Sequence, residues 1–565
     1  EIQTIKRVFD NFVFDRYTDT YSKKEYSDFE KQTLEQLSTY FPEIDEVGIK
    51  SDLQEYYNMW QSFADNPDND AIKIALVKQT ETLSNHIHST RAQVSELQSQ
   101  LNNQIEVNIN EVNSIAKRIA DLNKSIDTAE AGKLYDANDL RDQRNVLERD
   151  MARLIGANTN YGQIESNTQI DSSSNTITGS YSMDINGFNI VDGSTYHPIR
   201  VSNEKNPSGF YEISYERQDG VLIPMEEIIR GGKIGALLDL RGGTIDTTSG
   251  VPKDGILQNT IAQLDGFARG LIESANNLYA SSTTTRMNSN VIDFNASDTL
   301  MNSNLNINKG SFDLVIYDID GNEVASREIN IDVATSMTGL SGSNSIQGQM
   351  IATVDDNADG NANNDIDDFV NFNWATFASG ENAVEFTLDS LKESQGYTFA
   401  IRDSLSNDQF STGTNFAGAL GMHRYFDGND ASNITINASL KANPSGVKAG
   451  YAPIAGDSRV ALDMVQQQFE DINFKAGSTS YEASVYGMFD IIATEVGTVT
   501  NAAISRQETI STQFNAVEME YFSVSKVSID EEMTNLIKYQ TSYGAAAKVI
   551  TTIDQMMQTL LGIKQ

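Results

Sequence analysis

LSNHIHSTRAQVSELQSQLNNQIEVNINEVNSIAKRIADLNKSI, residues 83–126, decides the fold. Its apolar residues recur at steps of three and four: Leu83, Ile87, Val94, Leu97, Leu101, Ile105, Val112, Ile115, Ile119, Leu122 and Ile126. Thr90 and Asn108 fill two of the expected steps with polar groups. That spacing draws one stripe along a helix, the pattern of a coiled-coil seam. A helix from about Asn69 to Ile126 would be roughly 85 Å long at ~1.5 Å per residue, a rod rather than the core of a compact domain.

Outward from this rod, the first 156 residues read as helical. The next helix carries Leu140, Leu147, Met151 and Leu154, with Gly156 placed as its C-cap. From 160 to about 230 the period shortens to two. Met183 and Ile185 precede Asn186-Gly187, and Phe188 and Ile190 follow, which predicts a hairpin. GFYEISYE (209–216) and VLIP (221–224) predict further strands. The helical period returns at Leu257, Ile261, Leu264, Ala268, Leu271, Ala275 and Leu278. A second β region follows: SFDLVIYDIDGNEVASREINID (311–332) reads as two strands around Asp320-Gly321, and VEFTLD (384–389) and YTFAIRD (397–403) as two more. A last helical block holds Val485, Phe489, Ile492, Val496, Val499, Ala503, Arg506, Ile510, Val517, Tyr521 and Val524. After a break near Ser525 a terminal helix carries Ile529, Met533, Leu536, Tyr543, Ala547, Ile550, Met557 and Leu561.

Helical rods at both chain ends with β regions between them predict an α+β multidomain fold. Its centre is a discontinuous, coiled-coil-like helical bundle built from both ends, with two inserted β domains. The expected divisions are 1–158, 254–284 and 415–525 for the helical domain, 159–253 for the first β domain, 285–414 for an outer β domain and 526–565 for the terminal helix. Such a subunit suits stacking into a tube, terminal helices inside and β domains outside.

Composition narrows the function. There are 79 acidic against 41 basic residues, a net charge of −38. That surface repels nucleic acid and anionic lipid, since phosphate binding needs clustered Lys and Arg. The absence of cysteine rules out disulfides, thiol nucleophiles and Cys-ligated zinc. No apolar run approaches the ~20 residues of a membrane helix. The opening EIQTIKRVFDNFVF mixes charge into its apolar positions, unlike a secretory signal. Eight prolines leave long helices uninterrupted, each interior Pro costing roughly 3 kcal/mol.

Few residues suggest chemistry. Asp355, Asn357 and Asp359, followed by Gly360, copy the opening of an EF-hand loop. The twelfth position should be a bidentate Glu and is Ile366, so a solvated acidic turn is the competing reading. Asp318, Asp320 and Gly321 read as a hairpin turn. His86 and His88 stand two apart on a helix and share no face, and His197 and His423 are isolated, so no zinc pair is expected. With so many acids, paired carboxylates are not evidence of catalysis. No nucleophile-elbow or phosphate-loop motif occurs, and neither an enzyme nor a cofactor is expected.

Several segments carry a resemblance. SDLQEYYNMWQSFADNPDNDAIKIALV (51–77), NEVNSIAKRIADLN (110–123) and NDLRDQRNVLERDMARLIG (138–156) resemble the N-terminal helical domain of the hook-associated protein 1 family of the bacterial flagellum. GGKIGALLDLRGG (231–243) resembles that family's β-to-helix junction, and GMHRYFDGNDASNITIN (421–437) its return to the helical domain. SIDEEMTNLIKYQTSYGAAAKVITTIDQMMQTLLGIK (528–564) is similar to the C-terminal helix, which other axial proteins share more loosely. The resemblance implies a structural subunit at the hook–filament junction, exported by the flagellar type III apparatus without a cleaved signal peptide. It implies an extracellular location and a ring of self-copies at the end of the hook. It implies contact with hook protein and hook-associated protein 3, and an export chaperone on the C-terminal helix. Family members open with an amphipathic helix and an Asn-rich turn ahead of the part matched by Glu1–Tyr17; lacking these, the sequence reads as processed or truncated. The alternatives are another axial protein, such as hook protein or hook-associated protein 3, and an enzyme or carbohydrate-binding module in 285–415.

Overall fold

The computed structural model describes residues 9–42, 47–131, 137–161, 181–204, 206–217, 219–403, 413–525 and 529–562. It is a mixed structure of helices and small antiparallel sheets. Four helices come first: α1 (Asn11–Ser38), α2 (Ile49–Asp65), α3 (Asp70–Glu130) and α4 (Asn138–Ile155). The Asp10 carboxylate starts α1 by accepting from the Phe12 and Val13 amides, at 2.9 and 3.2 Å. Asn69 starts α3 in the same way, through the Ala71 amide at 2.9 Å. The stripe on α3 faces inward: Leu83, Ile87, Val94, Leu97, Leu101, Ile105, Val112, Ile115, Ile119 and Ile126 are all buried. So are Thr90 and Asn108. The Asn108 amide is satisfied locally, donating to the Gln104 carbonyl at 2.6 Å. The helix α4 stops at Gly156, with φ 68°, where a Cβ would come within 2.9 Å of Gly231 Cα. Only glycine allows both the left-handed turn and that approach.

The first β region has a four-stranded antiparallel sheet of β1 (Asn158–Tyr161), β2 (Tyr181–Ile185), β3 (Phe188–Asp192) and β4 (Thr195–Tyr196). A three-stranded sheet follows, of β5 (Ile199–Ser202), β6 (Glu212–Glu216) and β7 (Leu222–Pro224). Asn186 and Gly187, both at positive φ, turn β2 into β3. Amides on α3 hold this region. Asn113 both donates to and accepts from the backbone of Ile199, each at 2.8 Å. Asn123 donates to the Gly193 carbonyl at 2.6 Å, and Asn102 accepts from the Tyr211 amide at 2.9 Å. The apolar residues of these sheets, Tyr181, Met183, Ile185, Ile199 and Ile213 among them, join the same buried cluster as the helices.

Helices α5 (Gly232–Arg241) and α6 (Ile256–Tyr279) lead to the second β region. It contains β8 (Arg286–Asn288), β9 (Gly310–Tyr317), β10 (Glu323–Ile331), α7 (Ile346–Met350), α8 (Ile366–Phe369), β11 (Val370–Thr376), β12 (Asn382–Leu388), α9 (Ser390–Ser394), β13 (Thr398–Asp403) and α10 (Phe416–Leu420). Two three-stranded sheets, β10-β9-β13 and β11-β12-β8, enclose a separate cluster around Phe312, Ile316, Ile329, Phe386, Phe399 and Phe416.

The chain then returns through β14 (Phe426–Asp427), β15 (Thr435–Ile436), α11 (Ala438–Ala442), α12 (Arg459–Gln466), β16 (Ile472–Ala476) and β17 (Thr479–Ala483) to α13 (Val485–Ser525) and α14 (Ile529–Gly562). Tyr425 and Phe426 give the 421–437 stretch its structural role. Tyr425 packs on Trp60 of α2 with ring centroids 5.0 Å apart, and its hydroxyl meets that of Thr80 at 2.6 Å. Asn276 of α6 accepts from both backbone amides at 2.8 Å. The hairpin β16–β17 falls inside the stretch expected to be helical. It lies against α6, and Gly270 leaves room for the Phe474 ring, which a Cβ would approach to 2.3 Å.

Candidate functional site

The candidate site lies where the chain's two helical ends meet. Helix α1 runs antiparallel to α13. Arg16 pairs with Glu520 at 3.0 Å near one end, and Arg506 with Glu30 at 2.7 Å further along. Between them an aromatic cluster joins the helices: Tyr17 stacks on Tyr521 at 4.7 Å, and Tyr21 on Phe514 at 5.4 Å. Lys50, at the start of α2, reaches Asp490 of α13 at 2.7 Å. The stripe read on α13 is buried at Val485, Phe489, Ile492, Val496 and Ala503. Its polar member Arg506 supplies the ion to Glu30.

Helix α14 differs. Among its described side chains, residues 533–558, every one is exposed. Met533, Leu536, Tyr543, Ala547, Ile550 and Met557, the stripe read from sequence, all face solvent, Tyr543 at 80% and Ile550 at 68%. Ile529 and Leu561 belong to the helix, but their side chains lie outside the described residues. The exposed apolar surface is wider than the stripe, because Ile537, Val549, Ile553 and Met556 are also more than half exposed. Those residues fall outside a strict seven-residue repeat; a count at i+3 and i+4 from each stripe member reaches Ile537 and Ile553 but not Val549 or Met556.

At the acidic loop the carboxylates serve the backbone. The Asp355 carboxylate accepts from the Asp359 and Gly360 amides at 3.2 and 3.0 Å. Asn357 Oδ1 accepts from the Asp359 amide at 3.2 Å, and Asp359 accepts from the Asn361 amide at 2.7 Å. These bonds hold the Asp359 carboxyl below its usual range, the Asn364 amide contributing most. The oxygens an EF-hand would turn on a cation are here turned on amides, and Ile366 is fully buried. Neighbouring Asp356 is the structural acid. With Asp367 it encloses the buried guanidinium of Arg327, at 2.7 and 3.0 Å. The same guanidinium donates to the carbonyls of Met350 and Ala352, both at 2.7 Å. Sequence reading missed this hub, since one Arg on a strand carries no pattern. Of the histidines, His86 bonds Asp52 at 2.7 Å. Among the described residues no group of three or more His, Cys, Asp or Glu is arranged to hold a metal ion, and no helix is long and apolar enough to cross a membrane.

Comparisons with known proteins converge on one apparatus. Residues 34–291 match the family model described as the flagellar hook-associated protein FlgK helical domain. Residues 520–563, the end of α13 and all of α14, match the C-terminal model of the flagellar basal body rod FlgEFG proteins. Flagellar hook-associated protein 1 of Salmonella typhimurium is 24% identical over 539 residues, covering 91% of this chain and 81% of the relative. The protein of the same name in Bacillus subtilis is 22% identical over 566 residues, covering 99% and 85%. A solved structure of the flagellar hook junction protein FlgK from Burkholderia pseudomallei covers 91% of this chain and 100% of its own, at 14% identity and a TM-score of 0.49. A helical-domain match over residues 34–291, and two relatives of one name covered to 81% and 85% of their length, make the chain similar to flagellar hook-associated protein 1.

Proposed function

We propose that this flagellar axial component is the structural subunit joining hook to filament, and that it assembles by packing α14 against helices of neighbouring subunits. The observation that carries the reading is α14 itself, a helix of 34 residues whose described apolar side chains all face solvent. A soluble chain rarely leaves so much apolar surface uncovered without a partner for it. The interface is Ile529, Met533, Leu536, Tyr543, Ala547, Ile550, Met557 and Leu561. Its partners are other copies in a ring, hook protein on one side and hook-associated protein 3 on the other, with an export chaperone covering the same helix beforehand. The similarity of 520–563 to rod-protein C-termini supports a packing mode common to axial proteins. Delivery is by the flagellar type III route to the cell exterior. Residues 1–158, 254–284 and 415–525 form the body, with 159–253 layered on it; 285–414 is an outer unit and 526–565 the assembly helix. Two non-overlapping buried clusters support the separation of the outer unit.

The test is Ile550→Asp in the full-length protein. Ile550 is 68% exposed, so the free subunit should melt within about 0.5 kcal/mol of the parent. In the assembled seam the carboxylate would be buried without a partner, at a cost of several kcal/mol. Cells should export the subunit but shed filament protein into the medium. Normal filaments on such cells would sink the proposal.

A further inference from the structure

Where the two buried clusters meet, a cleft of about 490 Å³ opens between the end of α6, strands β8 and β13, and the returning segment 422–453. Its lining contains Arg286, Arg424, Lys448 and His423, with Thr, Ser and Asn side chains around them, and no Asp or Glu. In a chain with 79 acids and 41 bases this is a local inversion of charge.

The two arginines are held in place. Arg424 donates to Asn290 Oδ1 at 2.7 Å and stands 3.5 Å from Asp427. Arg286 pairs with Glu385 outside the lining. The Tyr279 hydroxyl accepts from the Lys448 backbone amide at 3.1 Å, which fixes that residue beside the His423 ring. His423 in turn stacks on Tyr279, centroids 5.1 Å apart and planes within 11°. Lys448 is exposed and has no carboxylate partner among the described residues. Its charge and, more strongly, burial push the His423 imidazole down to about 4, so the ring is neutral at pH 7 and keeps one donor and one acceptor. Two polar atoms in the wall, His423 Nε2 and Thr398 Oγ1, are shielded and have no hydrogen-bond partner. Unsatisfied groups of this kind cost about 1–3 kcal/mol each. A small shift of the wall toward a polar ligand would satisfy them.

We propose that this cleft binds a small hydroxylated oxyanion, a sugar acid or sugar phosphate, with Lys448 and Arg424 on the anionic group and the Thr, Ser and Asn side chains on the hydroxyls. The volume falls within the usual range for small-molecule sites. The two arginines are already half neutralised by their own partners, so Lys448 carries most of the discrimination between charged and neutral sugars. Occupancy would also tie the outer β unit to the helical body, since the walls belong to both.

The test is calorimetric titration of the full chain with glucuronate, glucose 6-phosphate, inorganic phosphate and glucose. Glucuronate or glucose 6-phosphate should bind, at least about tenfold more tightly than glucose or inorganic phosphate. Lys448→Gln should weaken that binding by about tenfold or more, the loss expected for one charged hydrogen bond. Lys441→Gln, an exposed lysine paired with Glu81 outside the lining, should not change it. No heat from any of the anions, inorganic phosphate binding as tightly as the sugar anions, or full affinity in Lys448→Gln would each overturn the proposal. Because Lys448 is exposed, both variants should fold, and unchanged melting of the unliganded protein checks that they do.

Discussion

Arg327 sits at the centre of a buried charged hub in the second β region. Its guanidinium is 7% exposed and the Asp356 carboxylate 3%. Removing the cation strands two carboxylates and the carbonyls of Met350 and Ala352 together. Arg327→Met should therefore destabilise this unit by about 3–5 kcal/mol, the usual cost of breaking a buried ion pair from one side. Urea denaturation followed by Trp374 fluorescence would register it. Arg217→Ala, which breaks an exposed pair with Asp219, should move the midpoint by less than about 0.5 kcal/mol. Equal effects would show that the hub contributes nothing of its own. At this scale the sequence was legible only where geometry leaves one choice. Asn186-Gly187 announced its turn because both residues need positive φ. Arg327, Asn113 and Asn123 announced nothing, because their roles come from groups 23 to 86 residues away.

Elements were more legible than residues, for a physical reason. A helix whose one face is buried repeats its apolar residues at 3.6, and α3 and α13 keep that rhythm over many turns. The hairpin β16–β17 escaped notice because INFKA and TSYEA are short and only half buried. Helix α14 was read correctly as an element, while the breadth of its apolar surface was underestimated. Its weakest point is Gly544, where an added Cβ would meet no atom within 4 Å outside the helix's own backbone. Gly544→Ala should therefore stabilise the helix by about 1 kcal/mol without touching any neighbour. Hydrogen exchange on the full chain should show α14 amides slowed by about fivefold, with α13 unchanged. Unaltered exchange in α14 would mean that this helix is already held by something other than its own propensity.

For the whole molecule, the alternation of helical and β patterns along the chain correctly placed rods at both ends and β regions between. The first β region is less separate than its sequence pattern suggested, since its apolar residues share the helical cluster. Nothing in a two-residue period says what lies against the far side of a sheet. The outer unit has its own cluster, so excising 285–414 and closing the gap with a Gly/Ser linker should leave a helical protein that melts cooperatively. In the parent, calorimetry should resolve two transitions, of which the variant keeps one. Loss of the helical circular-dichroism signal in the variant would refute the division.

The antiparallel seating of α1 on α13 also sets how the chain answers to mechanical load. Any pull on α14 reaches the body through α13. Drawn along the axis of α13, the Arg16–Glu520 and Arg506–Glu30 pairs and the neighbouring tyrosine stack are loaded in shear and must yield together. Drawn against the start of α1, which lies beside the end of α13, the same contacts peel one after another. A tether of this design is strong lengthwise and weak at its tip.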